Sequence, residues 1–289
     1  MKELALVTVL YNSPAVLPDF FESLKVQTFK DFKLFIIDNS TNSESAEYIN
    51  NVCADFEFEM EYINNYGNNV GVAAGNNQGI KKALEQNCEK VLLLNNDLIF
   101  SEPQILEKII QASNLDHKSL ISPRILSWPD EKVWYFGGTF NYHRGTTDHF
   151  SYFNEPSKFT MAGAINYAPT CFLLVPRLAF DDVGLMDEKY FAYYDDSDFV
   201  FRCVKQGWKV KVDDSLYIHH KVSLSTGGRY SDFTIYYGLR NRIYFIRKNY
   251  STINKMISLG NALAGAAYRL VTNRKRKLII KAIKDGFGM

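Results

Sequence analysis

The chain has 289 residues, 46% hydrophobic and 15% aromatic, enough apolar content to bury a full core and to exclude disordered and fibrous classes. Lys and Arg total 33 against 32 Asp and Glu, so a net charge of +1 gives no global pull toward nucleic acid or anionic membranes; electrostatic specificity has to be local. Four cysteines (Cys53, Cys88, Cys171, Cys203) without CxxC spacing read as reduced, mostly buried small hydrophobes, not as a disulfide or zinc framework.

The opening Met1-Lys2-Glu3-Leu4 leads into an apolar strand-like segment with no longer apolar stretch and no small-residue cleavage site, so the chain is expected inside the cell. From residue 4 to 95, short unbroken apolar runs alternate with helical periodicity, the pattern of an α/β domain with a mostly parallel central sheet flanked by helices. Strands are expected over 4–11, 33–38, 59–63 and 90–94. Val16, Phe20, Phe21 and Leu24 form one apolar stripe on a helix starting near Pro14, and further helices are expected over 75–86 and 103–114.

Residues 127–166 are rich in aromatics, Gly and His but lack periodicity, so a long, partly mobile loop with the character of a substrate lid is expected. Order returns over 167–175, followed by a helix over 197–206 and a strand over 208–212. From 233 the pattern is helical to the end, with the basic run Arg274-Lys275-Arg276-Lys277. The apolar stretch 256–271 is interrupted by Asn261 and Arg269 and falls short of the roughly 20 residues a spanning helix needs, so no transmembrane helix is expected. This divides the chain into 1–232, with halves 1–100 and 101–232, and a helical C-terminal appendage, 233–289.

In open sheets of this kind ligands collect beyond the carboxyl ends of the strands, which deliver Tyr11-Asn12, Asp38-Asn39 and Asn95-Asn96-Asp97 to one edge. A carboxylate at Asp97 suits Mg2+ or Mn2+ bridging two phosphates; the alternative is an Asp that merely caps the following turn. Asp195-Asp196-Ser197-Asp198 opens a helical pattern, where backbone N–H groups keep a carboxylate ionised and available as a base, although an ordinary helix start looks the same. Tyr190, Phe191, Tyr193 and Tyr194 crowd this acidic turn and offer a platform for the apolar face of a sugar. His219-His220 follows the 208–212 strand by a short turn, where a neutral imidazole would complete a metal shell begun by Asp97 or stand as a plain surface His. Gly71, Gly75 and Gly79 recur every fourth residue and suit close approach of a ligand or a strand to a helix backbone. Neither GxGxxG nor GxxxxGK[ST] occurs, which removes the main support for dinucleotide and P-loop readings.

Taken in order, Val7-Thr-Val-Leu-Tyr-Asn-Ser13, Ile37-Asp-Asn-Ser40, Asn69-Val-Gly71 with Gly75-Asn-Asn77, Leu93-Leu-Asn-Asn-Asp97, Phe191-Ala-Tyr-Tyr-Asp-Asp-Ser-Asp198 and His220-Lys-Val-Ser-Leu-Ser-Thr-Gly-Gly228 resemble the family 2 inverting glycosyltransferases of GT-A fold, in the rhamnosyltransferase-like branch that builds bacterial surface polysaccharides. The resemblance runs from residue 4 to about 250. It implies that Tyr11, Asn12 and Asp38 hold the nucleotide base and ribose, that Asn69 and Asn77 with Gly71 and Asn96 complete the donor site, and that Asp97 and His220 hold Mg2+ or Mn2+. It further implies Asp196 as catalytic base, with Tyr194 and Asp195 on the acceptor side. The family's first metal-site acid is Asn95 here, which leaves a single carboxylate to anchor the ion.

The partners implied are a nucleotide-sugar donor, dTDP-rhamnose ahead of a UDP-hexose, and a saccharide acceptor linked to polyprenyl diphosphate, at the cytoplasmic face of the membrane. The helix over 233–247, the Arg240-Asn241-Arg242 cluster and the basic tail resemble the family's membrane-docking end, the alternative being a solvated cap on the core. A homodimer is a further candidate assembly, and nucleic acid is excluded as a partner. Two rival functions remain open: a sugar-phosphate nucleotidyltransferase, which would want a Gly-rich basic loop where this chain has Tyr-Asn-Ser-Pro, and a glycan-binding module without transfer activity.

Overall fold

The computed structural model describes residues 2–52, 56–150, 165–221, 231–272 and 275–289. Cys53, Arg274, most of the 151–166 part of the expected lid and the 222–228 part of the His220 motif lie outside them.

The first half builds the expected parallel unit. The strands β1 (Leu4–Leu10), β2 (Phe32–Asp38), β3 (Glu59–Asn64) and β4 (Lys90–Leu94) pair in parallel in the order β3-β2-β1-β4. β1, β2 and β4 are covered on both faces, which is why they read as unbroken apolar runs and not as an alternation. α1 (Leu17–Lys25) buries Leu17, Phe20, Phe21 and Leu24, the stripe read from the sequence, after a short 3-10 turn at Pro14–Val16. α3 (Val72–Glu85) lies directly on β1: a Cβ added at Gly79 would stand 2.4 Å from a Val7 methyl. Of the two uses allowed for the glycine repeat, Gly79 serves contact with a strand.

α2 (Glu44–Val52), β5 (Leu98–Phe100), α4 (Ile105–Leu115) and β6 (Ser119–Ser127) follow or interleave, of which only α4 was expected. The 127–166 stretch is corrected: among the described residues it holds β7 (Val133–Tyr135), paired with β6, and a hairpin of β8 (Gly138–Asn141) and β9 (Thr146–His149). Strands of three or four residues are too short to show a period. β10 (Phe172–Pro176) inserts antiparallel between β4 and β6, and α5 (Arg177–Val183) and α6 (Asp195–Lys205) lead to β11 (Lys209–His220). β11 corrects a second expectation: the strand does not end at Val212 but runs to His220 through an irregularity between Asp213 and Tyr217.

The full sheet, β3-β2-β1-β4-β10-β6-β11-β5, is mostly parallel, with β5, β7 and β10 reversed. α7 (Asp232–Asn249), α8 (Thr252–Thr272) and α9 (Arg276–Gly288) make the helical C-terminal segment. α7 places Tyr244, Phe245 and Ile246 in the same core as the sheet, through rings that join Phe140 of β8, Phe201 of α6 and Phe245. Cys88, Cys171 and Cys203 are buried free thiols, as read from the sequence.

Candidate active site

A cavity of about 560 Å³ opens at the carboxyl ends of β1, β2 and β4, within the range of small-molecule sites. Tyr11 stands at its mouth, 45% exposed. Asn39, Asn69 and Gly71 line one side, Asn95, Asn96, Asp97 and Thr170 another, and Phe191, Ala192 and Phe233 complete the wall. Of the residues assigned to the donor from sequence, Tyr11, Asn69, Gly71 and Asn96 line this cavity together with Asp97.

Three others are occupied elsewhere. Asn77 uses its carbonyl oxygen to accept from Met186 N at 3.0 Å and its amide to donate to Met186 O and Glu188, so it ties α3 to the segment before α6 and has no group left for a donor. Asp38 is 2% exposed and accepts from Ser40 N at 2.8 Å and Tyr62 Oη at 2.5 Å, closing the turn behind the cavity wall. Asn12 exchanges hydrogen bonds with Thr41 and takes a left-handed backbone, φ 45°, that turns the chain after β1. Asn39, Ser13 and Thr170 are cavity residues the sequence reading did not assign. Asn39 donates to Gly71 O, and Ser13 accepts from Asn96, so both also hold the wall in shape.

Gly71 has φ 88°, and a Cβ there would meet the Phe191 carbonyl oxygen at 2.6 Å. Gly71→Ala is therefore expected to cost about 1–3 kcal/mol of stability through backbone strain and to push Phe191 out of the wall. A thermal melt several degrees below that of the unsubstituted chain, with weakened nucleotide binding by calorimetry, checks it.

Asp97 and His220 meet because β5 and β11 pair antiparallel with His220 opposite Leu98, one residue past Asp97, and Lys221 N donates to Asp97 O. Asp97 Oδ1 lies 3.1 Å from His220 Nε2, yet the contact lacks hydrogen-bond directionality and Oδ1 is buried with no hydrogen-bond partner. A buried carboxylate oxygen without a partner is costly, and two donor atoms converging at this spacing suit a hard divalent cation. No cluster of three His, Cys, Asp or Glu that could hold a metal occurs among the described residues.

The acidic turn splits into three roles. Asp198 is fully buried and accepts from Arg202 Nε at 2.8 Å, Lys248 Nζ at 2.9 Å and Asn249 Nδ2 at 2.8 Å, tying α6 to α7. Asp195 is also buried, and burial first, then the adjacent Asp196 charge, hold its carboxyl well above the usual carboxylate range. Asp196 is more open and accepts three hydrogen bonds: Tyr167 Oη at 2.5 Å, Ser197 N at 2.6 Å and Ser197 Oγ at 3.1 Å. Tyr194, Asp195 and Asp196 all lie outside the cavity lining, and Tyr194 donates to Gly145 O and packs on Phe245.

Tyr193 and Tyr194 both have left-handed backbones, φ 65° and 67°, and the loop is clamped by fully buried Asn241, which donates to Ala192 O at 2.8 Å and Tyr193 O at 2.9 Å. Asn241 of the cluster expected at a docking surface is thus turned into the protein. Seven of the 18 residues of α7 are buried, Arg240 donates to Lys189 O, and Arg242 donates to Arg144 O.

A continuous ring contact joins the two acidic sites. His220 packs edge-on to Trp134 at 5.0 Å, Trp134 to His149 at 5.0 Å, and His149 stacks on Tyr167 at 5.6 Å, whose hydroxyl reaches Asp196. Buried Cys171 lies in the field of both Asp97 and Asp196, which add to burial in pushing its thiol well up. Asp97 and Asp196 are thus linked through four packed side chains, His220, Trp134, His149 and Tyr167.

Residues 5–183 match the family model described as "Glycosyl transferase family 2". Among curated proteins, the low-salt glycan biosynthesis hexosyltransferase Agl10 of Haloferax volcanii is 24% identical over 84% of this chain and 75% of its own length. The dTDP-rhamnosyl transferase RfbF of Shigella flexneri is 22% identical over 74% and 71%. Among solved structures, the mannosyltransferase PcManGT from Pyrobaculum calidifontis, in complex with GDP-Man and Mn2+, aligns with a TM-score of 0.62 at 10% identity over 99% of this chain and 87% of that one. S. aureus TarS 1-349 in complex with UDP-GlcNAc aligns with a TM-score of 0.62 at 13% identity over 99% and 80%. The shared fold is the GT-A arrangement expected from the sequence.

Proposed function

The chain belongs to glycosyl transferase family 2, and on that premise we propose that it is a metal-dependent, inverting glycosyltransferase acting from a nucleotide-diphosphate sugar onto a saccharide hydroxyl. dTDP-rhamnose is the favoured donor, the sugar nucleotide named for RfbF, with a UDP-hexose next. The acceptor is a polyprenyl-diphosphate-linked saccharide in surface polysaccharide synthesis, reached at the cytoplasmic face of the membrane.

The observation that carries this reading is the convergence of Asp97 Oδ1 and His220 Nε2 at 3.1 Å on the edge of a nucleotide-sized cavity, with Asp196 held nearby by Tyr167. Mg2+ or Mn2+ held by Asp97 and His220 would supply positive charge against the departing diphosphate, in keeping with the Mn2+ named for PcManGT. The protein's own residues do the rest. The Asn69 and Asn96 amides orient the donor in the cavity, and Phe191 and Phe233 form part of its wall. Asp196 takes the acceptor hydroxyl proton as that oxygen forms a bond to the anomeric carbon, while the bond from that carbon to the diphosphate breaks and its electron pair leaves with the nucleoside diphosphate. A single displacement of this kind inverts the anomeric configuration.

The expected outcome of a nucleotide-sugar screen with Mn2+ is release of nucleoside diphosphate from one donor, abolished by chelation. A chain that binds donors but releases no diphosphate with any acceptor fraction would be a binding module, and the assignment would fall.

A further inference from the structure

A carboxylate has about four lone-pair positions, two on each oxygen. On Asp196 three are taken: Oδ1 accepts from Ser197 N at 2.6 Å and Ser197 Oγ at 3.1 Å, and Oδ2 accepts from Tyr167 Oη at 2.5 Å. Oδ1 is filled, so the open position is the second one on Oδ2. That oxygen is the one the tyrosine touches.

The short strands of the 127–166 region fix that tyrosine from every side. Tyr167 is buried, and its ring packs edge-on to Phe140 of β8 at 5.6 Å and stacks on His149 of β9 at 5.6 Å. Both of its backbone polar groups are held: Tyr167 N donates to Gly138 O at 3.1 Å, and Tyr167 O accepts from Tyr135 Oη of β7 at 2.8 Å. The fit is close, since a Cβ at Gly138 would stand 2.8 Å from the Tyr167 ring. The Thr147 side chain of β9 reaches the same hydroxyl. Burial first, then the Asp196 charge, hold the phenol well above its ordinary value, so it keeps its proton and acts as the donor. The one polar side-chain atom of a buried ring is thus given to a carboxylate that is only half-buried.

We propose that Oδ2 of Asp196 is the atom that takes the acceptor's proton, and that Tyr167 is the positioning residue that aims it. As the acceptor O–H bond breaks and Oδ2–H forms, the lone pair that remains on Oδ2 still accepts from Tyr167, so the hydrogen bond lasts through the step. A carboxylate gripped at both oxygens keeps one orientation. Gripped at Oδ1 alone, it can pivot and carry its open position away from the hydroxyl, which costs rate and not donor binding. The inference rests on the reading of Asp196 as the base and adds to it the accepting atom and the residue that holds it.

The test is steady-state nucleoside-diphosphate release by the full chain with Mn2+, with dTDP-rhamnose and UDP-glucose as donors and a membrane lipid extract as the source of acceptor. Wild type, Tyr167→Phe, Asp196→Asn and the double variant are compared. Phe fills the same ring space, so the packing on Phe140 and His149 stays. Tyr167→Phe should lower kcat by about 10- to 100-fold, the range spanned by one hydrogen bond to a charged group, with the donor KM within about threefold. In the Asp196→Asn background the same substitution should change turnover by less than about threefold, because no proton acceptor is left to aim. Near-normal kcat in Tyr167→Phe, with wild type active, overturns the inference and leaves the transferase reading standing. A loss that falls on KM or takes donor binding with it, or that multiplies in full on top of Asp196→Asn, gives Tyr167 to the fold and overturns it as well. Wild type that releases no diphosphate from any donor sinks the transferase reading, and the inference with it.

Discussion

Asp196→Asn is expected to lower nucleoside-diphosphate release by about 10³- to 10⁴-fold while leaving donor affinity within about threefold, the loss assigned to a positioned general base. Asn has the same shape, and its remaining carbonyl oxygen still accepts from Ser197, so the turn and the cavity keep their form. What is lost is the ability to take a proton. Asp195→Asn is the internal control, because burial raises the Asp195 carboxyl toward its neutral form and the amide mimics that form. The two neighbouring substitutions should differ by at least two orders of magnitude in turnover. Steady-state release together with calorimetric donor binding checks this, and near-normal turnover in Asp196→Asn would take the base role away from that residue.

The contrast between two adjacent acids shows where the sequence stops being legible. The Asp-Asp-Ser-Asp turn reads as one acidic helix start, yet its three carboxylates separate by burial into a group raised toward its neutral form, a hydrogen-bonded acceptor and a buried tie to Arg202 and Lys248. Partners far along the chain decide this, and no local pattern encodes them. The same holds for Asn77, whose amide is saturated by Met186 more than a hundred residues away, and for Asn241, which looks like part of a basic surface cluster but clamps the turn before Asp195.

Legibility was highest where burial is two-sided. β1, β2 and β4 stand out as unbroken apolar runs because both faces are covered, and their tips mark the edge where the cavity opens. β11 was cut short because Asp213, Asp214 and Ser215 interrupt its apolar pattern at the irregularity in its pairing with β6. That shortening hid the reason His220 meets Asp97, which is strand register and not a turn. α2 went unseen because only Ser45 and Ile49 of its nine residues are buried, too narrow a stripe to register as a period.

Asp97→Asn should show effects of opposite sign on the free and the loaded protein. In the free chain Asp97 is 5% exposed and its Oδ1 has no hydrogen-bond partner, so the fold carries a buried carboxylate oxygen without compensation. Replacing it by a neutral amide removes that burden, and the melting temperature without metal should hold or rise by about a degree or two. With Mn2+ and a nucleoside diphosphate present, the wild type should melt higher in proportion to ligand bound, and the variant should lose most of that gain because His220 alone remains as ligand. Donor turnover should fall at least about a hundredfold, beyond the effect of disturbing a ligand's hydrogen-bond partner. Differential scanning with and without Mn2+ reads both signs in one experiment. A variant that melts well below wild type without metal, yet keeps the full Mn2+-dependent rise, would mean that Asp97 supports the fold and grips no ion.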